Sequence, residues 1–243
     1  MSKIPHRIHY CWFGEGEKPE IVKECIASWQ KYMPDWEIIE WNEKNYDLRK
    51  NNFMKKAYAC KKWAFVSDYA RFDILNQYGG IYFDTDVEML KELPKEILEY
   101  AAFSGVEWAG KVSPGLVFGC EKNFPLLNEI LAIYNKAVFD AKKLKTVNEL
   151  VTDILLKKGF VKDNSFQVIE GLAVFPKEIF CGYNTDIREP AIVPETIAYH
   201  HYLGSWVKPA LKVKLQDRLK KRIGVQRYSQ LLFLKRRITK CFR

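Results

Sequence analysis

The sequence predicts an α/β fold in which a mixed, mostly parallel sheet is flanked by helices. A β-α-β start and a second helix that leads directly into another strand indicate this class. With 243 residues, the chain suits one large domain better than two independent ones. The composition, 48% hydrophobic and 28% charged, is that of a globular protein.

The first predicted unit is a strand, a loop and a helix. Residues 8–13 form a β-type run that ends at Gly14-Glu15-Gly16, and Pro19 is a favoured first residue of a helix. Proline at position 34 cannot continue this helix and is predicted to end it. The apolar residues of the helix form one stripe, made by Val22, Ile26, Trp29 and Met33. Residues 36–41 are predicted to be the second strand.

A second helix is predicted over Trp63–Tyr78, closed by Gly79-Gly80, and a third strand over 81–84. The two glycines allow a tight turn between these elements. Weaker patterns predict further strands near 116–118, 166–169 and 197–201, and helices near 124–138 and 148–158.

Asp84 and Asp86 are the strongest candidates for chemistry. Side chains two positions apart on a strand project to the same side, so we expect the two carboxylates to lie together. Two carboxylates about 4 Å apart repel by about 1 kcal/mol in water and about 4 kcal/mol at an intermediate dielectric. A divalent cation is the simplest compensation, and Asp oxygens suit Mg²⁺ or Mn²⁺. The alternative is an ordinary loop after a strand.

Asp68 and Arg71 lie at i, i+3 on the preceding predicted helix. Close to the two carboxylates, an arginine could meet phosphate oxygens or sugar hydroxyls, and an aspartate could accept from sugar hydroxyls. The alternative is a surface ion pair of little energetic value.

Residues 64–86 contain the pattern S-D-x-x-R followed by L-x-x-x-G-G-I-Y-x-D-x-D. This segment resembles the D-x-D region of glycosyltransferase family 32. The family includes bacterial capsule and surface-polysaccharide transferases and fungal Golgi mannosyltransferases, and its fold is related to the catalytic domains of large clostridial glucosylating toxins. Residues 4–14 resemble its opening strand and residues 198–206 its closing motif, while residues 90–195 match loosely.

The resemblance implies a GT-A type fold and a role for each matching residue. Asp86 would bind the metal directly, and Asp84 would contact the ribose or a metal-bound water. Trp12 would stack on the uracil or another base; the alternative is a buried core indole. Either His200 or His201 would be a further metal ligand, unless both are structural, and strand alternation lets only one point inward. The other expected donor-site residues are Asp68, Arg71, Tyr82, Ser205 and Trp206.

The resemblance also implies the reaction. A sugar would move from a nucleotide sugar, with a UDP-sugar favoured, to a growing lipid-linked surface or capsular polysaccharide. Mn²⁺ or Mg²⁺ would neutralise the leaving diphosphate, and the anomeric configuration would be retained without a covalent intermediate. Asp84, Asp86, Arg71 and Trp206 would form the catalytic set, with Trp206 on a lid that limits hydrolysis.

Two other functions use similar residues. Phosphatases related to haloacid dehalogenases carry Thr or Val two positions after the D-x-D, where this chain has Glu88. Their Asp pair also normally ends the first strand, whereas this one follows two strand-helix units. A non-catalytic nucleotide-sugar or carbohydrate-binding protein would keep the same site without turnover. The residues leave open the donor sugar, the acceptor, the linkage and the oligomeric state.

The net charge of +9 is concentrated at the C-terminus. Residues 208–243 hold 13 Lys and Arg against one acidic residue, whereas residues 1–207 carry 26 basic and 29 acidic side chains. We therefore expect a glycosyltransferase domain over 1–207 and a basic amphipathic extension over 208–243 that binds an anionic membrane. The alternatives are a solvated tail, a packed terminal helix or, without any recognised motif, nucleic-acid binding.

The basic extension also predicts a cytoplasmic protein that is peripheral on the inner face of the plasma membrane. The chain shows no secretory h-region at its start and no run of 18 apolar residues. Its six cysteines contain no C-x-x-C pair and are expected to be reduced thiols.

Overall fold

The computed structural model describes residues 3–107, 110–140, 145–185, 187–203, 220–225 and 227–228. The strands are β1 (Arg7–Cys11), β2 (Glu37–Trp41), β3 (Gly80–Tyr82), β4 (Val87–Met89), β5 (Ala102–Gly105), β6 (Phe118–Cys120), β7 (Gln167–Ile169), β8 (Leu172–Phe175), β9 (Tyr183–Asn184), β10 (Glu189–Pro190) and β11 (Ala198–His200). The α-helices are α1 (Glu20–Tyr32), α2 (Asn52–Ala59), α3 (Trp63–Tyr78), α4 (Pro125–Lys136), α5 (Val147–Lys157) and α6 (Lys177–Phe180), and a 3₁₀ helix spans Lys95–Glu99.

Seven of the strands in the described part of the chain form one sheet, in the order β2-β1-β3-β6-β5-β8-β7. β1 pairs in parallel with β2 and β3, and β5 pairs in parallel with β8. β6 is antiparallel to both β3 and β5, and β7 is antiparallel to β8, so five of the seven strands run the same way. The predicted mixed, mostly parallel sheet with flanking helices is confirmed.

The two faces of the sheet pack against different helices. One core contains buried residues of α2, α3, α4 and α5, including Met54, Phe72 and Leu127. The other is built around Trp29 of α1 and Phe180 of α6. Because side chains alternate along a strand, β3 contributes to both cores. The sheet is therefore covered on both faces, and its strand ends remain available for a site.

The junction between α3 and β3 fixes the segment that follows. Helix α3 spans Trp63–Tyr78, as predicted, and Gly79 and Gly80 follow with φ of 63° and 101°. A Cβ atom on Gly80 would lie 2.6 Å from the carbonyl oxygen of Arg7. Glycine is needed there for both conformation and space, because other residues rarely adopt positive φ.

The predicted third strand, 81–84, ends earlier than expected. Regular pairing stops at Tyr82, and the Val87 N–H donates to the carbonyl of Asp84 at 3.1 Å, which closes a turn over the D-x-D residues. Asp84 and Asp86 therefore lie in a turn and not on a strand, so the prediction from strand alternation is wrong. The predicted strand near 197–201 is present as β11, but it pairs with β4 in a separate two-stranded sheet.

Most of the predicted C-terminal extension, 208–243, lies outside the described residues. Within the described part, Lys220 donates to Glu189 at 2.6 Å and Tyr228 is buried. No helix in the described ranges is long and apolar enough to cross a membrane. Cys11, Cys25, Cys60 and Cys120 are free thiols.

Candidate active site

Side chains from several elements meet beyond the carboxyl ends of β1 and β3. These strands are parallel neighbours, so their carboxyl ends lie at one edge of the sheet, the usual ligand edge of open α/β sheets. Trp12 follows β1 and Asp84 follows β3 after one residue. Helix α3 supplies Arg71, and β11 brings His200 to the D-x-D turn.

Asp84 is held by backbone and side-chain contacts together. Its N–H donates to the carbonyl of Gly115 at 2.8 Å. Its Oδ1 atom accepts from the Tyr82 hydroxyl at 3.1 Å and lies 3.2 Å from the Arg71 guanidinium. The Asp84 side chain is 32% exposed, so the carboxylate has one side in the protein and one side open.

The guanidinium of Arg71 joins Asp84 to Asp68. Its Nη2 atom lies 3.0 Å from Asp68 Oδ1, and its Nε donates to the carbonyl of Ser67 at 3.2 Å. It also lies over the Tyr82 ring, 4.7 Å from the ring centre. The Arg71 side chain is 3% exposed and that of Asp68 is 9% exposed. The alternative of a surface ion pair is therefore wrong.

Burial and neighbouring charges shift the pKa values in this cluster. Burial raises the pKa of Asp68 to about 7; Arg71 acts against this shift, and Asp84 adds to it. Burial by itself would lower the pKa of Arg71, but the neighbouring carboxylate of Asp84 raises it further above its usual range. The Nη1 atom of Arg71 is buried and has no hydrogen-bond partner. A buried guanidinium N–H without a partner is costly, which makes Nη1 a candidate hydrogen-bond donor to a ligand oxygen.

Asp86 is oriented by the end of β11. The Nε2 atom of His200 lies 3.1 Å from Oδ1, and the N–H of Leu203 donates to Oδ2 at 3.0 Å. Burial acts to raise the pKa of Asp86, but His200 and the backbone N–H outweigh it, so this pKa is lowered. Burial acts to lower the pKa of His200, but Asp86 raises it above its usual value. Both shifts favour the ionised pair.

The two histidines contact different carboxylates. His200 faces Asp86, whereas the Nε2 atom of His201 lies 2.9 Å from Glu88 Oε2. The N–H of His201 also donates to the Asp86 carbonyl at 2.9 Å. His200 is therefore the histidine at the D-x-D turn, a choice that alternation left open. No group of three or more His, Cys, Asp and Glu in the described ranges is arranged to hold a metal ion.

Trp12 is partly buried beside the first strand. Its indole N–H donates to the carbonyl of Gly16 at 2.6 Å, and Lys18 lies 5.7 Å from its ring centre. The ring packs against the core that contains Trp29 without being enclosed in it. Ser205 and Trp206, predicted to close the site, lie outside the described residues.

Gly115 is a site residue that the sequence reasoning missed. It lies in a buried turn before β6, and its carbonyl accepts from Asp84. The Ser-Pro-Gly sequence at 113–115 is a turn signal, but nothing in it indicates a contact with Asp84, 31 positions earlier.

The chain is similar to a known family over the segment that builds this site. A family model described as "Glycosyltransferase sugar-binding region containing DXD motif" matches residues 19–104. That span includes α1, α3, β3 and the whole D-x-D turn.

Individual proteins show a more partial likeness. Inositol phosphoceramide mannosyltransferase 1 of Schizosaccharomyces pombe is 32% identical over 104 residues, which are 38% of this chain and 31% of that protein. The chain thus spans about a third of this relative's length. Among solved structures, the PaToxG glycosyltransferase has a TM-score of 0.48 at 20% identity, covering 64% of this chain and 70% of that one. A galactosyltransferase, LgtC, in complex with donor and acceptor sugar analogs has a TM-score of 0.46 at 12% identity, covering 93% and 94%.

Proposed function

We propose that this chain is a metal-dependent, retaining glycosyltransferase that uses a nucleotide-sugar donor, with a UDP-sugar favoured. The observation that carries the proposal is the buried Asp68–Arg71 pair behind Asp84, inside the segment matched by the DXD family model. Buried charged groups with shifted pKa values gather at functional sites. An ordinary solvated turn after a strand needs no buried guanidinium behind it.

The carboxylate oxygens of Asp84 and Asp86 fit a hard divalent cation. Mg²⁺ and Mn²⁺ accept one or two carboxylates, and substrate phosphates and water fill the other positions, so a cluster of three protein ligands is not required. Arg71 and Tyr82 both contact Oδ1 of Asp84, and the side chain is 32% exposed, so the open side of the carboxylate can reach another partner. Each Asp86 oxygen accepts one hydrogen bond and keeps a further lone pair. When bound, the cation neutralises charge on the departing diphosphate.

The residues of the chain position the donor around these carboxylates. His200 and the Leu203 N–H keep Asp86 ionised and fix its direction. Asp68 holds Arg71 in place. The unpaired Nη1 of Arg71 donates a hydrogen bond to an oxygen of the nucleotide sugar. The partly buried ring of Trp12 stacks on the base, since tryptophan combines a large apolar face with a polar edge. Ser205 and Trp206, which lie outside the described residues, are proposed to limit hydrolysis of the nucleotide sugar.

The acceptor is a lipid-linked surface or capsular polysaccharide in this proposal. The name of the S. pombe relative gives a mannosyl group and inositol phosphoceramide, which is consistent with an acceptor that carries a lipid. It also makes a mannose-bearing nucleotide the main competitor to a UDP-sugar. The basic segment 208–243 would hold the enzyme at an anionic inner membrane leaflet, where each Lys or Arg near the surface contributes about 1 kcal/mol.

A panel of UDP- and GDP-sugars tests the proposal. Purified chain with Mn²⁺ is expected to release nucleoside diphosphate from one donor, slowly to water and faster to an added acceptor glycan. Asp86→Ala should release none. Asp47→Asn, at an exposed carboxylate that pairs with Arg49, is its control and should behave as wild type. Donor binding without any turnover across the panel would favour the non-catalytic binding protein and contradict the enzyme.

A further inference from the structure

Gly115 lies directly against the Asp84 carboxylate. A Cβ atom on Gly115 would be 2.0 Å from Asp84 Oδ2 and 2.7 Å from Nη1 of Arg71. Both distances are below any normal Cβ contact, so a side chain at this position must displace the carboxylate or the guanidinium. The φ of Gly115 lies outside the left-handed region. The glycine is therefore needed for space and not for a backbone conformation.

The turn that carries Gly115 is anchored and cannot easily give way. The Ser113 N–H donates to the carbonyl of Gly105 at 2.9 Å, and the Leu116 N–H donates to the carbonyl of Ser113 at 3.1 Å. Ser113 is 3% exposed, and Leu116 and Val117 are fully buried. Because interiors are close-packed, a side chain added here would act on the more open carboxylate of Asp84.

We propose that Gly115 is a positioning residue that sets the Asp84 carboxylate against Arg71 by leaving this space free. Two contacts act together: the Gly115 carbonyl fixes the Asp84 backbone, and the missing side chain admits the Asp84 carboxylate. A ligand oxygen that reached the unpaired Nη1 of Arg71 would share the same space. The kinetic consequence rests on the proposed function, whereas the structural coupling does not.

A double-mutant cycle on thermal stability tests the coupling without any substrate. Gly115→Ala should lower Tm by several degrees when Asp84 is present. Gly115→Ala should lower Tm far less in an Asp84→Ala background, because that change removes the overlapping carboxylate. In an Asp84→Asn background, which keeps the side-chain volume, the loss in Tm should be the same as in the wild type. Equal losses in all three backgrounds would overturn the proposal. If Gly115→Ala fails to fold, recovery of folded protein in Asp84→Ala supports the coupling, and failure in both contradicts it.

Gly119→Ala is the matched control. Its Cβ would lie 2.1 Å from the Phe103 ring, so it also crowds the core, but it does not touch Asp84. Its loss in Tm should be the same in every Asp84 background.

Kinetics give the second arm. With the nucleotide sugar that the wild type turns over, Gly115→Ala should lower kcat/KM about 100-fold, because small displacements of a positioning group have effects of that order. Gly119→Ala should keep the wild-type value per folded molecule. Wild-type kcat/KM in Gly115→Ala would contradict the inference. A wild type that turns over no nucleotide sugar would instead contradict the proposed function, and the stability cycle would still decide the coupling.

Discussion

At the scale of single residues, Arg71 connects the parts of the candidate site. The sequence pattern placed Asp68 and Arg71 on one face of a helix near the D-x-D pair, which the structure confirms. It did not predict that both side chains are buried, because i, i+3 spacing is the same on a surface and in a core. The contact with Gly115 was also beyond prediction, since it joins segments far apart in sequence.

Replacing Arg71 should be costly for stability. Arg71→Met leaves Asp68 and Asp84 without their shared partner, and loss of one member of a buried pair typically costs about 3 kcal/mol or more. Arg71→Lys should recover part of this loss, because an ammonium keeps the charge but cannot bridge both carboxylates in a planar fork. Urea unfolding measures both.

Arg7→Met serves as the control for this prediction. Arg7 pairs with Glu37, and the two side chains are 43% and 60% exposed, so its loss should cost less than about 1 kcal/mol. Equal costs at Arg7 and Arg71 would mean that burial of the Arg71 cluster contributes nothing.

At the scale of elements, the α3–β3 unit was the most predictable part of the fold. A long periodic helix followed by Gly-Gly and an apolar strand contains its own boundary signals, and the bounds of α3 were predicted correctly. β4, β5 and β8 were missed because three or four residues show no usable alternation, and β5 is buried along its whole length. Helix α2 was missed because its eight residues are too few to show a clear period. Its N-cap residue, Asn51, also donates a hydrogen bond to the Tyr134 carbonyl of α4, a distant contact that the local sequence does not indicate.

His9 ties β1 to the glycines at the end of α3. Trp41 Nε1 can only donate, so His9 Nδ1 accepts from it at 3.1 Å and Nε2 donates to the Gly79 carbonyl at 2.9 Å. This pattern requires a neutral ring. Burial lowers the pKa of His9 from 6.5 to about 4.

The lowered pKa of His9 predicts acid destabilisation. Between pH 6.5 and 4 the unfolded chain binds the proton that folded His9 excludes. The free energy of unfolding therefore keeps its full value above pH 6.5 and falls as the pH decreases. The loss should reach about 2 kcal/mol at pH 5. Asp68, with its raised pKa, acts in the opposite direction over this range.

The effect of His9 is therefore measured as a difference in unfolding free energy between wild type and a His9 variant. The gap in unfolding free energy between wild type and His9→Gln, which keeps an N–H for Gly79, should shrink by about 2 kcal/mol from pH 7.5 to 5. A gap that does not change with pH would show that His9 is not held neutral.

At the scale of the whole molecule, two cores enclose the sheet and leave the site at its edge. The fold class followed from the order of elements, which is a property of the whole chain. The proposed donor and acceptor did not follow, because the segments between 90 and 195 carry no strong sequence pattern. The charge asymmetry of the C-terminal segment is likewise a whole-molecule property.

Membrane binding by the basic segment can be tested with a truncation that keeps every described residue. A variant that ends after Tyr228 keeps Lys220 and the buried Tyr228 but loses five Lys and Arg. It should bind vesicles with anionic lipid more weakly than wild type, and the difference should shrink at high salt. Neutral vesicles are the control, and unchanged binding to anionic vesicles would contradict the membrane proposal.

The proposed function requires that Asp86 act with a divalent cation in sugar transfer. Its most direct test is release of nucleoside diphosphate from the active nucleotide sugar, measured for wild type and Asp86→Ala with chelator and then with added Mn²⁺. Chelation is expected to stop release by the wild type and Mn²⁺ to restore it, whereas Asp86→Ala should stay inactive at every Mn²⁺ concentration. Full activity of Asp86→Ala in the presence of chelator would contradict it.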